Sequence, residues 1–70
     1  MFKEGDELIA IPEGRWGEQE GDIFIVTEYY PSTNDLDENV SGYWKKNKRA
    51  DSFYCRYFKL HKTVKNEDRL

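Results

Sequence analysis

Hydrophobic residues fall along this chain in short blocks separated by polar, glycine-rich or charged stretches. Positions 7–11, Glu-Leu-Ile-Ala-Ile, form a β-branched run stopped by Pro12, which predicts a first strand. Residues 12–21 hold three glycines and read as a turn-rich loop. Residues 22–30, Asp-Ile-Phe-Ile-Val-Thr-Glu-Tyr-Tyr, carry the strongest strand signal, with six β-branched or aromatic residues and Thr27 as a seventh. The opening Ile-Phe-Ile-Val is apolar on both faces and should be buried on both; the later Thr-Glu-Tyr-Tyr should be half exposed. Residues 31–39 form a polar, acidic loop whose proline and Asx-type residues oppose both strand and helix.

Residues 40–44, Val-Ser-Gly-Tyr-Trp, predict a third strand that runs into the basic 45–49 stretch. Ala50-Asp51 is expected as a tight turn, making a hairpin from 40–44 to 52–54. Phe53, Tyr57 and Leu60 recur at helical spacing, while Phe58 and Leu60 suit a strand. A 3-10 turn around Cys55–Tyr57 followed by a strand over 58–61 satisfies both patterns. The expected architecture is all-β: a small, five-stranded antiparallel barrel over residues 1–61, with a 3-10 turn before the last strand. Residues 62–70 are expected as a charged C-terminal tail, frayed or in a short helix.

The tripeptide Glu-Gly-Asp occurs twice, at 4–6 and 20–22, each time just ahead of an apolar run. Glycine permits the tight backbone that a strand entry needs, and aspartate can accept hydrogen bonds from nearby amides. The sixteen-residue offset is one strand plus one loop, too short for a repeated domain. The motif is therefore expected to open the first two strands of one sheet.

Composition narrows the functional classes. Seventy residues make one domain near the lower limit for unaided folding. No apolar stretch approaches the roughly 20 residues of a membrane span, and the N-terminal residues lack a signal-peptide pattern. The single cysteine, Cys55, fits a reducing cytoplasm and reads as a buried small hydrophobe. One Cys and one His cannot supply the usual zinc ligand set, so neither metal nor cofactor is expected. Ser32, Ser41, Ser52 and His61 are not placed together by any motif, so no catalysis is expected. The net charge of −3 conceals an asymmetry: residues 1–40 hold two bases against eleven acids, and residues 41–70 nine bases against three acids. A bipolar surface of this kind orients charged partners.

The order Phe2-Lys-Glu-Gly-Asp-Glu-Leu, Gly21-Asp-Ile-Phe-Ile-Val-Thr-Glu, an aromatic strand and Arg56-Tyr-Phe-Lys-Leu60 resembles small SH3-like β-barrel proteins, a kind common among bacteriophage open reading frames. The resemblance covers about residues 2–61. It implies that Phe2 caps the barrel, that Gly5 and Gly21 open strands one and two, and that Phe58 and Leu60 anchor the last strand. The acidic 31–39 insert and the basic 45–49 cluster depart from the pattern. The wider SH3-like class, KOW and Tudor modules included, binds proline-rich peptides, RNA, DNA or modified tails, so fold alone does not select a ligand.

The resemblance implies a peptide groove between the loops at 12–20 and 31–39. Both are acidic apart from Arg15, which suits a basic or proline-rich basic segment. Arg15 and Trp16, flanked by Gly14 and Gly17, are interface-type residues, although a tryptophan there can equally fold back as a lid. Tyr29, Tyr30, Tyr43 and Trp44 are expected as an aromatic stripe, with Asp35, Asp37 and Glu38 as its charged rim, and core packing of these rings is the alternative. The leading expectation is a non-catalytic module that binds a protein, a host factor if the chain is a phage accessory protein. Lys45, Lys46, Lys48 and Arg49 beside Tyr43 and Trp44 supply the ingredients of single-strand nucleic-acid binding as a second reading. A third is an acidic nucleic-acid mimic that blocks a host DNA-binding enzyme. An exposed strand edge could also dimerise so small a domain.

Overall fold

A computed structural model describes residues 2–34 and 37–63. The expected five strands are present as β1 (Glu7–Ala10), β2 (Ile23–Tyr30), β3 (Asn39–Trp44), β4 (Ala50–Tyr54) and β5 (Phe58–Lys62). They form one antiparallel sheet in the order β4-β3-β2-β1-β5, so β4 and β5 are its edges. A 3-10 turn at Cys55–Tyr57 precedes β5, and two more, Pro12–Gly14 and Gly17–Gln19, shape the loop after β1. Among the described residues there is no α-helix, hence no helix long and apolar enough to cross a membrane. The expectation for 62–70 lies largely outside the described residues, which end at Thr63.

The repeated Glu-Gly-Asp builds the entry to each of the first two strands in the same way. Gly5 N–H donates to the Val26 carbonyl at 2.8 Å, and Val26 N–H donates to the Asp6 carbonyl at 3.0 Å. Gly21 N–H donates to the Ala10 carbonyl at 2.8 Å, and Ala10 N–H donates to the Asp22 carbonyl at 3.1 Å. Both glycines are left-handed, with φ of 92° and 88°. Each copy closes a turn through an i→i+3 bond, Asp6 N–H to Lys3 O and Asp22 N–H to Gln19 O. Glu20 at φ −58°, ψ 128° followed by Gly21 is a type II turn. Two residues opposite one, with glycine leading, is the G1 bulge. The repeat is thus the two-fold symmetry of an antiparallel pair written into sequence.

The side chains of the two copies diverge. Asp6 is only 2 % exposed and accepts from Lys3 N–H and the Thr63 hydroxyl, both at 2.9 Å. It ties the start of β1 to the residue that follows β5, and these bonds offset the cost of burying its carboxylate. Asp22 is half-buried at the other end of the pair.

A second irregularity decides which face of β2 looks inward. Register shifts between Val26 and Glu28, leaving Thr27 as the extra residue, its hydroxyl on the Ser41 carbonyl at 3.1 Å. Phe24 and Val26 face the core before the bulge, and Tyr29 packs against it afterwards. Gly42 sits opposite Val26, where an added Cβ would fall on the Ile25 carbonyl oxygen and 3.0 Å from Phe24 Cε2, so β2 and β3 approach where only glycine fits.

The core comprises Leu8, Ala10, Phe24, Val26, Val40, Trp44, Cys55 and Phe58, with Phe2, Trp16, Tyr29 and Phe53 packed against it. Phe58 is buried as the resemblance implied, whereas Leu60, opposite Leu8 in the β1–β5 ladder, is 44 % exposed. The β3–β4 hairpin turns at residues 45–49 rather than at Ala50-Asp51, which belong to β4 opposite Tyr43 and Gly42. Three local features place the turn there: Lys48 adopts φ 64°, its N–H donates to the Trp44 carbonyl at 2.7 Å, and the Asn47 side chain accepts from Arg49 N–H at 3.0 Å.

Candidate functional site

The loop after β1 carries the first residues singled out by sequence. Arg15 is exposed in the left-handed region at φ 54°, where its N–H caps the Pro12–Gly14 turn by donating to the Pro12 carbonyl. That bend sends Trp16 back over the sheet. Its indole N–H donates to the Tyr57 carbonyl at 3.1 Å, and its ring meets Phe53 at 4.8 Å, Phe58 at 5.2 Å and Trp44 at 5.4 Å. Gly14 makes room for it, since a Cβ there would stand 2.6 Å from Trp16 Cε2. Of the two sequence readings of Trp16, its contacts are those of a lid.

The expected aromatic stripe divides between core and surface. Trp44 is 2 % exposed and Tyr29 is half-buried against the core, so these two rings are corrected from partner-facing to packing positions. Burial follows from the Thr27 bulge for Tyr29 and from strand alternation with Val40 and Gly42 for Trp44. Tyr43 is on the outer face, with the Lys48 ammonium 5.7 Å from its ring centre. Tyr30 is 45 % exposed, and Asp37 is exposed two residues ahead of Asn39, the cross-strand partner of Tyr30. Asp35 lies outside the described residues.

Strand register gathers a set of residues that the sequence reading missed. Tyr30 pairs with Asn39, and Asn39 pairs with Tyr54, so the three form one row across β2, β3 and β4. Directly paired residues share a face, and neighbouring strands are about 4.8 Å apart, so the two tyrosines flank Asn39 within about 10 Å. Tyr54 is 39 % exposed. The Arg56 guanidinium lies 4.5 Å from the Tyr54 ring centre and 5.1 Å from that of Tyr57, and the two rings meet edge-on at 6.0 Å. Stacking on two rings restricts the guanidinium while leaving it exposed. The signal for this cluster was present in the sequence, but a hairpin pivoting at 50–51 pairs Tyr54 with the basic stretch instead of Asn39.

The charged surroundings are acidic. The Tyr30 hydroxyl donates to Glu28, whose row neighbours are Ser41 and Ser52. The Asn39 amide donates to the Asp37 carbonyl at 2.8 Å, holding the loop end against the row. Glu38 accepts from Cys55 N–H through its carbonyl at 2.8 Å. Burial first, and the Glu38 carboxylate second, push the Cys55 thiol up to about 11, the opposite of what a reactive thiolate requires. His61 is exposed on edge strand β5.

The basic turn offers fewer unengaged groups than its composition suggests. Lys45 faces Glu7 at 3.8 Å, Lys48 covers Tyr43, and Trp44 is buried. Lys46 and Arg49 are exposed, and both line a groove that also receives Trp16, Glu18 and Asp22.

No protein-family model matches the chain, and neither a curated protein nor a solved structure matches it.

Proposed function

We propose that the chain is a non-catalytic interaction module with an SH3-like barrel architecture, which binds a protein through the Tyr30–Asn39–Tyr54 row and the stacked Arg56 and Tyr57. The strand order β4-β3-β2-β1-β5 and the 3-10 turn ahead of β5 support the architectural reading. The observation that carries the functional one is the row itself. Single exposed apolar residues are ordinary, but two exposed tyrosines in register, joined to an arginine stacked on two rings, form a contiguous patch. Tyr and Arg are the residue types that dominate binding energy at interfaces, because each offers a large rigid area with a polar end. Glu28 and Asp37 add an acidic rim, so the fitting partner presents an apolar or aromatic group flanked by bases, with an acceptor for Arg56. In this reading the chain is a phage accessory factor and the partner is a host protein in the cytoplasm.

Affinity capture from a bacterial lysate tests it, comparing the wild type with a Tyr30→Ala, Tyr54→Ala double variant. Both side chains are exposed, so the double variant keeps its circular dichroism spectrum and cooperative melting. The expected result is one or more proteins retained by the wild type and lost with the variant. Retention of the same proteins by both would remove this face from consideration.

A further inference from the structure

A groove of about 460 Å³ lies at the other end of the sheet, between the loop after β1 and the β3–β4 turn. Glu18 and Asp22 come to it from the loop, Lys46 and Arg49 from the turn, and Trp16 and Trp44 contribute to its lining. Two features set it apart from an ordinary charged surface. Opposite charges face one groove without closing on each other: none of these four side chains has an ion-pair partner within 4 Å among the described residues. The floor is held in place: Trp16 is fixed by its indole bond to the Tyr57 carbonyl, and Trp44, 2 % exposed, is set in the core beside it. A floor already fixed in the free protein costs little to order when a ligand binds.

We propose that this groove is a second binding site, for a short peptide with free termini, two or three residues long. Its ammonium group suits Glu18 and Asp22, and its carboxylate suits Lys46 and Arg49. The volume falls in the range of small-ligand pockets, about 300–1,000 Å³. Three extended residues span about 10 Å, enough to bring opposite ends to opposite walls. The site shares no residue with the tyrosine row and stands independently of the function proposed for that row.

The chain has two tryptophans, both in this groove, so two indole N–H signals in a ¹⁵N correlation spectrum report on it directly. Titration with triglycine is expected to move at least one of the two indole signals saturably, because a ligand between the charged walls changes the surroundings of the rings that line the groove. N-acetyl-triglycine and triglycine amide each lack one terminal charge and are expected to bind about tenfold or more weakly, the loss of one charge-assisted bond. Glu18→Gln and Arg49→Gln, both at exposed positions, are expected to weaken triglycine similarly, while the rest of the spectrum shows the fold intact. A blocked tripeptide, acetyl-Lys-Gly-Glu-amide, separates a free peptide from a segment within a protein, because it keeps both charges on side chains. The proposal is overturned if triglycine moves neither indole saturably, if the end-blocked forms bind as well as the free one, or if only the blocked Lys-Gly-Glu peptide binds.

Discussion

Replacement of Trp16 separates a ring that holds the fold from a ring that waits for a partner. Removing a tryptophan from a full core costs about 3–5 kcal/mol, and the half-buried position of Trp16 brings that to about 2–3. Loss of the indole bond to the Tyr57 carbonyl adds about 1 kcal/mol. A domain this size has a total stability of about 3–10 kcal/mol, so Trp16→Ala is expected to lose about 3–4 of it and to sit close to its melting transition. Trp16→Phe keeps the contacts with Phe53 and Phe58 but forfeits the hydrogen bond and part of the area, for about 1–2 kcal/mol. At about 4–8 °C per kcal/mol that is a fall of roughly 5–15 °C in Tm. Urea denaturation followed by circular dichroism measures both variants, and in the Phe variant the remaining Trp44 reports from the core by its emission. A Trp16→Ala protein within about 0.5 kcal/mol of the wild type, the usual spread of neutral surface substitutions, would refute the lid.

Two glycines should fail for different reasons under the same replacement. At Gly21 an added Cβ meets nothing within 4 Å, so Ala there costs only the left-handed backbone, about 1–2 kcal/mol, and a synthetic chain with D-Ala at 21 should match or exceed the wild type in denaturation. At Gly42 the cost is a backbone collision with Ile25, so Ala should lose about 3 kcal/mol or more; a Gly42→Ala melting curve matching the wild type would contradict the close β2–β3 approach. Cys55 should resist alkylation near pH 8 and gain reactivity only as pH approaches about 11; alkylation at pH 8 as fast as in urea would contradict its burial. Because its folded value lies above its ordinary 9.0, the unfolded chain releases this proton first, and stability should fall as pH rises from about 9 to about 11.

Local chemistry made most of the backbone legible. The β-branched run at 23–26, the prolines and glycines between blocks, and the mixed spacing at 53–60 located all five strands and the 3-10 turn at Cys55–Tyr57. The Glu-Gly-Asp pair was readable as a strand entry because glycine's left-handed freedom is a property of the residue itself. The hairpin turn was misplaced at Ala50-Asp51, since Lys-Lys-Asn-Lys-Arg looks like a solvated run until Asn47 and Lys48 are seen to supply its side-chain bond and left-handed bend. The position of the pivot decides the exposed row, because a shift of the pivot changes every cross-strand partner.

What the sequence determined by itself was the set of elements, their order, and the division of charge along the chain, all of which depend on neighbours within a few residues. Tertiary structure decided which rings are inside. Trp16 and Tyr43 look equally exposed in a list of residues, yet a left-handed Arg15 folds Trp16 onto the core while Tyr43 stays on the outer face. The bulge at Thr27 turns Tyr29 inward and leaves Tyr30 out, and register alone brings Tyr30 beside Asn39 and Tyr54. The physical reason is that burial is a property of pairings between distant segments, and in a sheet one inserted residue reverses every side chain that follows it.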